Sequence, residues 1–481
     1  MEGFDLVAAL PFGVLVGIAV LLLLLDLAGY ADRVRLPLGV LAVTGAWAAF
    51  LPQSYIRETA FKGLVHLDAF SFAFATITLA GTLFALLLSS GQLKAQNAVD
   101  SVDVDVLMLF ATCGGLVMIS AANLIVLFLG FELLSVCVYV LTGIAKSEKA
   151  SSEGALKYFI LGAFSSAFLL YGMTLVYGAT GSMDLVQIGQ AATLDNPMLL
   201  IGLGLTVFGF AFKVGAVPFH FWTPDVYQGA PVSISAYMAV VVKAAAFGSF
   251  LRVVTVAFGG IQTEWVGLLW LLSVLTMTVG NILALWQRSV KRMLAYSSIA
   301  HAGYAMIGFV VLGSAAGGEA TIFYLAAYTA MTIAAFGVVL LASAGTGRQY
   351  AADDLESLKG LGWSRPFLGL VMTVALLSLA GMPPLGGFVA KFYLFSAAVK
   401  GGYTGLAVIA ALNSVVSLYY YLGVIVVMYF SGEQTDGEGA ADRVPFAPGL
   451  ALALATVGIF YLGFFSEDCF HFVQLAMASI T

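Results

Sequence analysis

Charge is what this chain has least of. Only 10% of its 481 residues are Asp, Glu, Lys or Arg, against 61% hydrophobic residues and a mean hydropathy of +1.01. A soluble domain is about 25% charged, and so few charges cannot cover a soluble surface of this size. A cytoplasmic enzyme, a secreted domain and a disordered chain are excluded together. Cysteine is scarce too: Cys113, Cys137 and Cys469 stand in apolar runs without Cys-x-x-Cys spacing, which encodes neither an iron–sulfur cluster nor a disulfide framework. The four histidines, His66, His220, His301 and His471, lack metal-ligand or haem spacing. No metal or cofactor site is expected in this chain, and no nucleic-acid partner. What the sequence has in abundance is apolar runs, so it reads as an integral membrane protein in contact with lipid.

Fourteen segments between Pro11 and Phe465 have the length and apolarity of a spanning helix. They include Leu36–Phe50, Leu124–Ile144, Gly154–Gly178, Leu199–Val217, Pro231–Phe258 and Pro366–Lys400. The first follows an acidic start, Glu2 and Asp5, and so does not read as a cleaved signal. Fourteen crossings put both termini on one side, and the basic residues decide which. One set of loops holds Arg33, Arg35, Lys94, Lys146, Lys149, Lys157, Arg288, Lys291, Arg292, Arg348, Lys359, Arg365 and Arg443; the other holds Arg57, Lys62, Arg252 and Lys400. Thirteen against four makes the first set cytoplasmic and both termini periplasmic.

The segment Pro366–Lys400 would be about 52 Å long as a helix, against a hydrocarbon core of about 30 Å. In its middle Gly381-Met-Pro-Pro-Leu-Gly-Gly387 cannot continue a helix, because proline lacks the amide donor. The seventh segment ends in a similar interruption, Lys213-Val-Gly-Ala-Val-Pro-Phe-His-Phe-Trp-Thr-Pro-Asp225. Each is the fourth helix of a block of five, and an odd block length makes the second block enter from the opposite side. The expected architecture is therefore all-α and polytopic, with about 14 transmembrane helices and two inverted five-helix repeats. Discontinuous helices 7 and 12 would carry the functional breaks. The expected divisions are a three-helix segment at 1–103, a first repeat at 104–258 and a second at 259–430. A cytoplasmic loop and last helix follow at 431–481. Ordinary proline kinks are the plainer alternative, but unpaired backbone in lipid is costly and usually lines a cavity.

Four charges stand too deep to snorkel. Glu132 is eight residues into the fifth helix, Lys213 is near the cytoplasmic end of the seventh, Lys243 is mid-helix in the eighth, and Lys391 lies beyond the break in the twelfth. A charge at the bilayer centre costs at least about 2.5–3.5 kcal/mol on insertion scales. Structural ion pairs would explain such groups, but three lysines and one carboxylate cannot all pair. Burial disfavours an ammonium and a nearby carboxylate favours it, so a carboxylate that approaches and withdraws makes a lysine take up and release a proton. These four residues form the candidate relay. Lys157, His220, Asp225 and His301 are accessory candidates for proton entry or transfer. For Lys157 snorkelling competes, for His220 and Asp225 loop-anchoring hydrogen bonds compete, and for His301 an ordinary core histidine competes. Asp26 and Asp68 read as interfacial. The loop Gly345–Gly362, with Asp353, Asp354, Glu356 and Lys359, reads as a linker or a docking surface.

Four stretches carry a resemblance. Phe219-His-Phe-Trp-Thr-Pro-Asp-Val-Tyr-Gln-Gly-Ala-Pro231, Leu129-Gly-Phe-Glu-Leu-Leu-Ser135, Lys291-Arg-Met-Leu-Ala-Tyr-Ser-Ser-Ile-Ala-His-Ala-Gly-Tyr304 and Gly381-Met-Pro-Pro-Leu-Gly-Gly-Phe-Val-Ala-Lys391 resemble the antiporter-like subunits of respiratory complex I, in its N-type branch. Glu132, Lys213, Lys243 and Lys391 match that family's charged positions on helices five, seven, eight and twelve, and Lys157 its extra lysine on helix six. The histidine that the L and M types carry before the helix-eight lysine has no counterpart between Ser233 and Lys243. The family's second proline after Gly-Ala-Pro is Ser233 here, which leaves the local geometry of helix eight open.

The resemblance implies a proton-translocating module of NADH:quinone oxidoreductase in a bacterial inner membrane. It implies an M-type antiporter-like subunit and small K-, J- and A-type subunits as partners. NADH, FMN, the iron–sulfur clusters and quinone would be bound by partner subunits. Three other readings compete: a subunit of a multisubunit cation/proton antiporter, its counterpart in the photosynthetic NDH complex, and a passive subunit that only spaces the membrane arm.

Overall fold

The computed structural model describes residues 2–56, 58–92, 101–193, 195–313, 316–343, 354–430 and 444–480. Arg57, Lys94, Arg348, Asp353 and Arg443, five of the charges weighed above, lie outside them. The described chain is almost wholly helical: α1 Glu2–Leu27, α2 Ala31–Phe50, α3 Ala69–Gln92, α4 Ser101–Ser120, α5 Leu124–Thr142, α6 Lys149–Thr180, α7 Leu185–Ala191, α8 Pro197–Val214, α9 Trp222–Gly229 and α10 Val232–Tyr237. The second half holds α11 Lys243–Val256, α12 Gln262–Ala284, α13 Val290–Val310, α14 Gly317–Ser343, α15 Leu361–Ser364, α16 Pro366–Ala380, α17 Gly386–Lys400, α18 Thr404–Phe430, α19 Phe446–Phe464 and α20 Ser466–Met477. Among the described residues thirteen helical stretches are long and apolar enough to cross a membrane, or up to fourteen with the bent segment around Pro366–Ala380. A short hairpin pairs Glu58–Ala60 with Val65–Leu67.

The helices start and stop where local chemistry directs. Asn123, Asn196 and Ser289 accept backbone N–H bonds at the starts of α5, α8 and α13. Gly215, at φ +75°, closes α8, and Gly381, at φ +89°, closes α16, each in the left-handed region that glycine enters freely. Residues 215–221 then connect α8 to α9, and 381–385 connect α16 to α17. In helix eight, α10 passes into α11 through a π-helical turn, Met238–Val242, that ends at Lys243. Such turns often accompany functional side chains.

The most enclosed helices are Val232–Val256, α13 and α14, with 89%, 94% and 89% of their apolar windows buried; α1 and α19 are at 28% and form the rim. Two buried ion pairs fasten this interior, and both correct the sequence reading. Arg252 belongs to α11 rather than a loop, and Asp68 is buried rather than interfacial. The Arg252 guanidinium donates to the two Asp68 oxygens at 2.7 and 2.9 Å, to Ser71 Oγ at 2.8 Å and to the Ile119 carbonyl at 2.9 Å. Arg35, also counted as a loop cation, lies in α2 and donates to Asp105 of α4 at 3.1 Å. α2 begins at Ala31, ahead of the apolar run that starts at Leu36, with the Arg35 charge neutralised inside the protein. α6 begins at Lys149, so Lys157 sits two turns inside it rather than at its start.

Candidate functional site

Lys213, Lys243 and Lys391 are 1%, 3% and 4% exposed, and none has a carboxylate within ion-pairing distance among the described residues. Lys213, in the last turn of α8, donates to Ser135 Oγ of α5 at 2.7 Å. Its ammonium also faces the rings of Phe131, Tyr139 and Tyr158 at 4.8, 5.9 and 5.9 Å. Lys243 donates to both the carbonyl and the hydroxyl of Ser298 on α13. Lys391, in α17, reaches back over the break to the carbonyls of Leu379 and Ala380 at 2.9 and 3.0 Å, and to Ser414 Oγ of α18 at 2.8 Å. A cation at the C-terminus of α16 is well placed against the helix dipole. The lysine therefore does satisfy carbonyls that the break frees.

Glu132 is near Lys213 without touching it. It stands on α5 between Phe131 and Ser135, which both meet that ammonium, and its Oε1 is buried with no hydrogen-bond partner. Glu132 itself is half-buried, on a helix whose Leu129, Leu133 and Val136 are exposed.

The accessory candidates fall into two places. Lys157 donates to Glu153 at 2.6 Å and to Asp225 at 2.7 Å, and Arg292 of α13 donates to the other Asp225 oxygen at 2.7 Å. Asp225 thus joins α6, α9 and α13. Partial burial favours its neutral form, but the hydrogen bonds from Lys157 and Arg292 outweigh this and hold the carboxyl below its usual range. His220 lies in the connection ahead of α9, buried, its ring stacked on Phe221 and its Nδ1 without a hydrogen bond. His301 is elsewhere, in the centre of α13. Its Nδ1 meets the Tyr324 hydroxyl of α14 at 2.6 Å and its Nε2 the Tyr421 hydroxyl of α18 at 3.2 Å.

Sequence reasoning did not single out Ser135, Ser298, Tyr324 or Tyr421. For Ser298 a signal exists, since it stands three residues before His301 and shares its helix face. The two tyrosines carry no such signal.

What this arrangement can do is hold three titratable amines, each against neutral partners, along the inside of a membrane bundle. A family model described as "NADH:quinone oxidoreductase/Mrp antiporter, TM" matches residues 121–417, the stretch holding Glu132, the three buried relay lysines and the four accessory candidates, and the chain belongs to that family. Its relatives narrow the branch. It is 44% identical over 452 residues to NADH-quinone oxidoreductase subunit N of Trichlorobacter lovleyi, covering 92% of this chain and 90% of that one. Among solved structures it is similar to a chain of respiratory complex I from Thermus thermophilus with bound aureothin, at 35% identity and a TM-score of 0.79 over 96% of this chain and 98% of that one. The fold is shared with a chain of the Mrp complex from Dietzia sp. DQ12-45-1b, at 22% identity and a TM-score of 0.83 over 98% and 97% of the two chains.

Proposed function

We propose that this chain is a proton-translocating antiporter-like subunit of the membrane arm of NADH:quinone oxidoreductase. The observation that carries the mechanism is a contrast among buried cations. Arg35 and Arg252, which cannot release a proton, are locked to Asp105 and Asp68. Lys213, Lys243 and Lys391, which can, meet hydroxyls, carbonyls and aromatic rings and no carboxylate among the described residues. Protons load at Lys213, pass Lys243 and leave from Lys391, with Glu132 setting the proton affinity of Lys213 through space. Residues 104–258 and 259–430 are the two inverted repeats, so the breaks after α8 and α16 face opposite sides. Redox chemistry belongs to partner subunits, which bind NADH, FMN, the iron–sulfur clusters and quinone. An M-type antiporter-like subunit and small K-, J- and A-type subunits flank the chain in a bacterial inner membrane, with both termini periplasmic. Lys213→Ala, measured for proton pumping and coupled quinone reduction in the assembled complex, tests this reading: both should fall, and full coupled activity would dispose of it.

The likeness to the Mrp chain keeps one second reading in view, a cation/proton exchanger without redox coupling. Affinity purification from native membranes separates the two. Recovery with an NADH-oxidising assembly supports the first, and recovery within a set of antiporter subunits alone supports the second.

A further inference from the structure

We propose that Tyr324 and Tyr421 make His301 the proton switch between Lys243 and Lys391, by presenting a hydroxyl to each of its two ring nitrogens. This rests on the lysine relay proposed above and names its middle step. Neutral imidazole has one donor and one acceptor nitrogen, and imidazolium has two donors. A backbone carbonyl or a carboxylate on one nitrogen would fix the tautomer. Here both partners are hydroxyls, which donate or accept by rotating, so both tautomers and the cation find partners without moving the ring. The chain of rotatable groups goes one step further, because the Tyr421 hydroxyl also bonds Ser297 Oγ, one helical turn before His301.

The position suits the role. The Tyr328 ring lies 5.1 Å from the His301 ring and faces the Lys243 ammonium at 5.9 Å. On the other side the Tyr304 ring lies 5.8 Å from His301 and faces the Lys391 ammonium at 5.0 Å. One aromatic ring is thus a common neighbour of the histidine and each lysine.

In the step itself an N–H bond of the Lys243 ammonium breaks, and the proton reaches one ring nitrogen through hydroxyls and water, each passing on one proton as it gains one. The imidazolium so formed loses the proton from its other nitrogen, through the second tyrosine and water, to the neutral amine of Lys391. One proton has moved, and the ring is left neutral as the opposite tautomer. Tyr324 and Tyr421 act through His301 and are positioning residues.

The test uses the assembled complex in sealed proteoliposomes. NADH-driven proton pumping, quinone reduction per assembled complex and the H2O/D2O rate ratio are measured for Tyr324→Phe, Tyr421→Phe and the double variant. Tyr237→Phe serves as control, since it removes a buried hydroxyl bonded to Thr112 and the Met108 carbonyl. Each single variant should lose about tenfold or more in coupled turnover, less than the roughly 10²-fold or more that a proton-transferring group itself contributes because the tyrosines act through His301, and should raise the isotope ratio. The double variant should match the worse single, because both hydroxyls serve one transfer. The control should keep the parent rate and ratio. Parent turnover and isotope ratio in both single variants would overturn the proposal, as would slower turnover with an unchanged ratio, which marks a packing defect. If these variants pump normally while Lys213→Ala does not, this inference fails and the lysine relay stands; if Lys213→Ala also pumps normally, the relay itself fails.

Discussion

Lys213 spends its hydrogen bond on the hydroxyl of Ser135, at 2.7 Å, and leaves the carboxylate of Glu132 out of contact. The lysine is thus not pinned as an ion pair, although Glu132 stands on the same stretch of α5 as Ser135. A carboxylate at such a distance alters proton affinity by its charge and its placement, since a Coulomb interaction varies smoothly with separation.

Glu132→Asp should therefore retain more coupled quinone reduction than Glu132→Gln or Glu132→Ala, because it keeps the charge while drawing it back. The three variants assayed side by side in assembled complex decide this. Equal activity in all three would show that the charge does not matter.

A different outcome is expected at the buried ion pair. Asp68→Asn leaves the Arg252 guanidinium enclosed without its counter-charge, and breaking such a pair costs about 3–5 kcal/mol. The amount of assembled complex should fall, while the complexes that do form should pump at the parent ratio of protons to NADH. The double variant Asp68→Asn with Arg252→Met should recover much of the assembly, since no charge is then stranded. A lowered pumping ratio at normal abundance would instead place the pair in the relay.

The Asp225 latch has a pH signature. Its carboxyl is held below the usual range, so its interactions stabilise the folded chain above the unfolded carboxyl value of about 3.9 and are lost as pH falls through the lower, folded value. Near pH 7 the Asp225→Asn complex should dissociate at a lower temperature than the parent, and the gap should narrow as pH falls toward and below about 4. Because Lys157, Asp225 and Arg292 are all partly exposed, added salt should also narrow it. A gap of constant size across pH and salt would mean that packing, not charge, accounts for the difference.

Much of the site was legible because of contrast. A lysine inside an apolar run stands out, as Lys213, Lys243 and Lys391 do, and Gly381 to Gly387 announces its own interruption through glycine and paired proline. The misreadings share one cause, long-range partners. Arg252 looked like a loop residue because its carboxylate, Asp68, is 184 positions away, and Arg35 because Asp105 is 70 away. Without those partners an arginine at the edge of an apolar run is expected to reach for water. His301 could be found by depth, but Tyr324 and Tyr421, 23 and 120 residues distant, come to it only through the packing of α13, α14 and α18. The sequence offered Glu132 as the carboxylate for Lys213; that Ser135, three residues on, would take the direct bond depends on helix rotation that apolar patterning does not encode.

The central claim is that the buried lysines work by releasing protons rather than by holding helices together. Arginine keeps the charge and the donors but does not give up its proton at physiological pH. The decisive measurement is proton pumping per NADH oxidised, in sealed proteoliposomes, for Lys213→Arg, Lys243→Arg and Lys391→Arg complexes matched for assembly. The account predicts that pumping and coupled turnover collapse in each. A Lys391→Arg complex that merely capped the Leu379 and Ala380 carbonyls and pumped at the parent ratio, or the same result at Lys213 or Lys243, would contradict it.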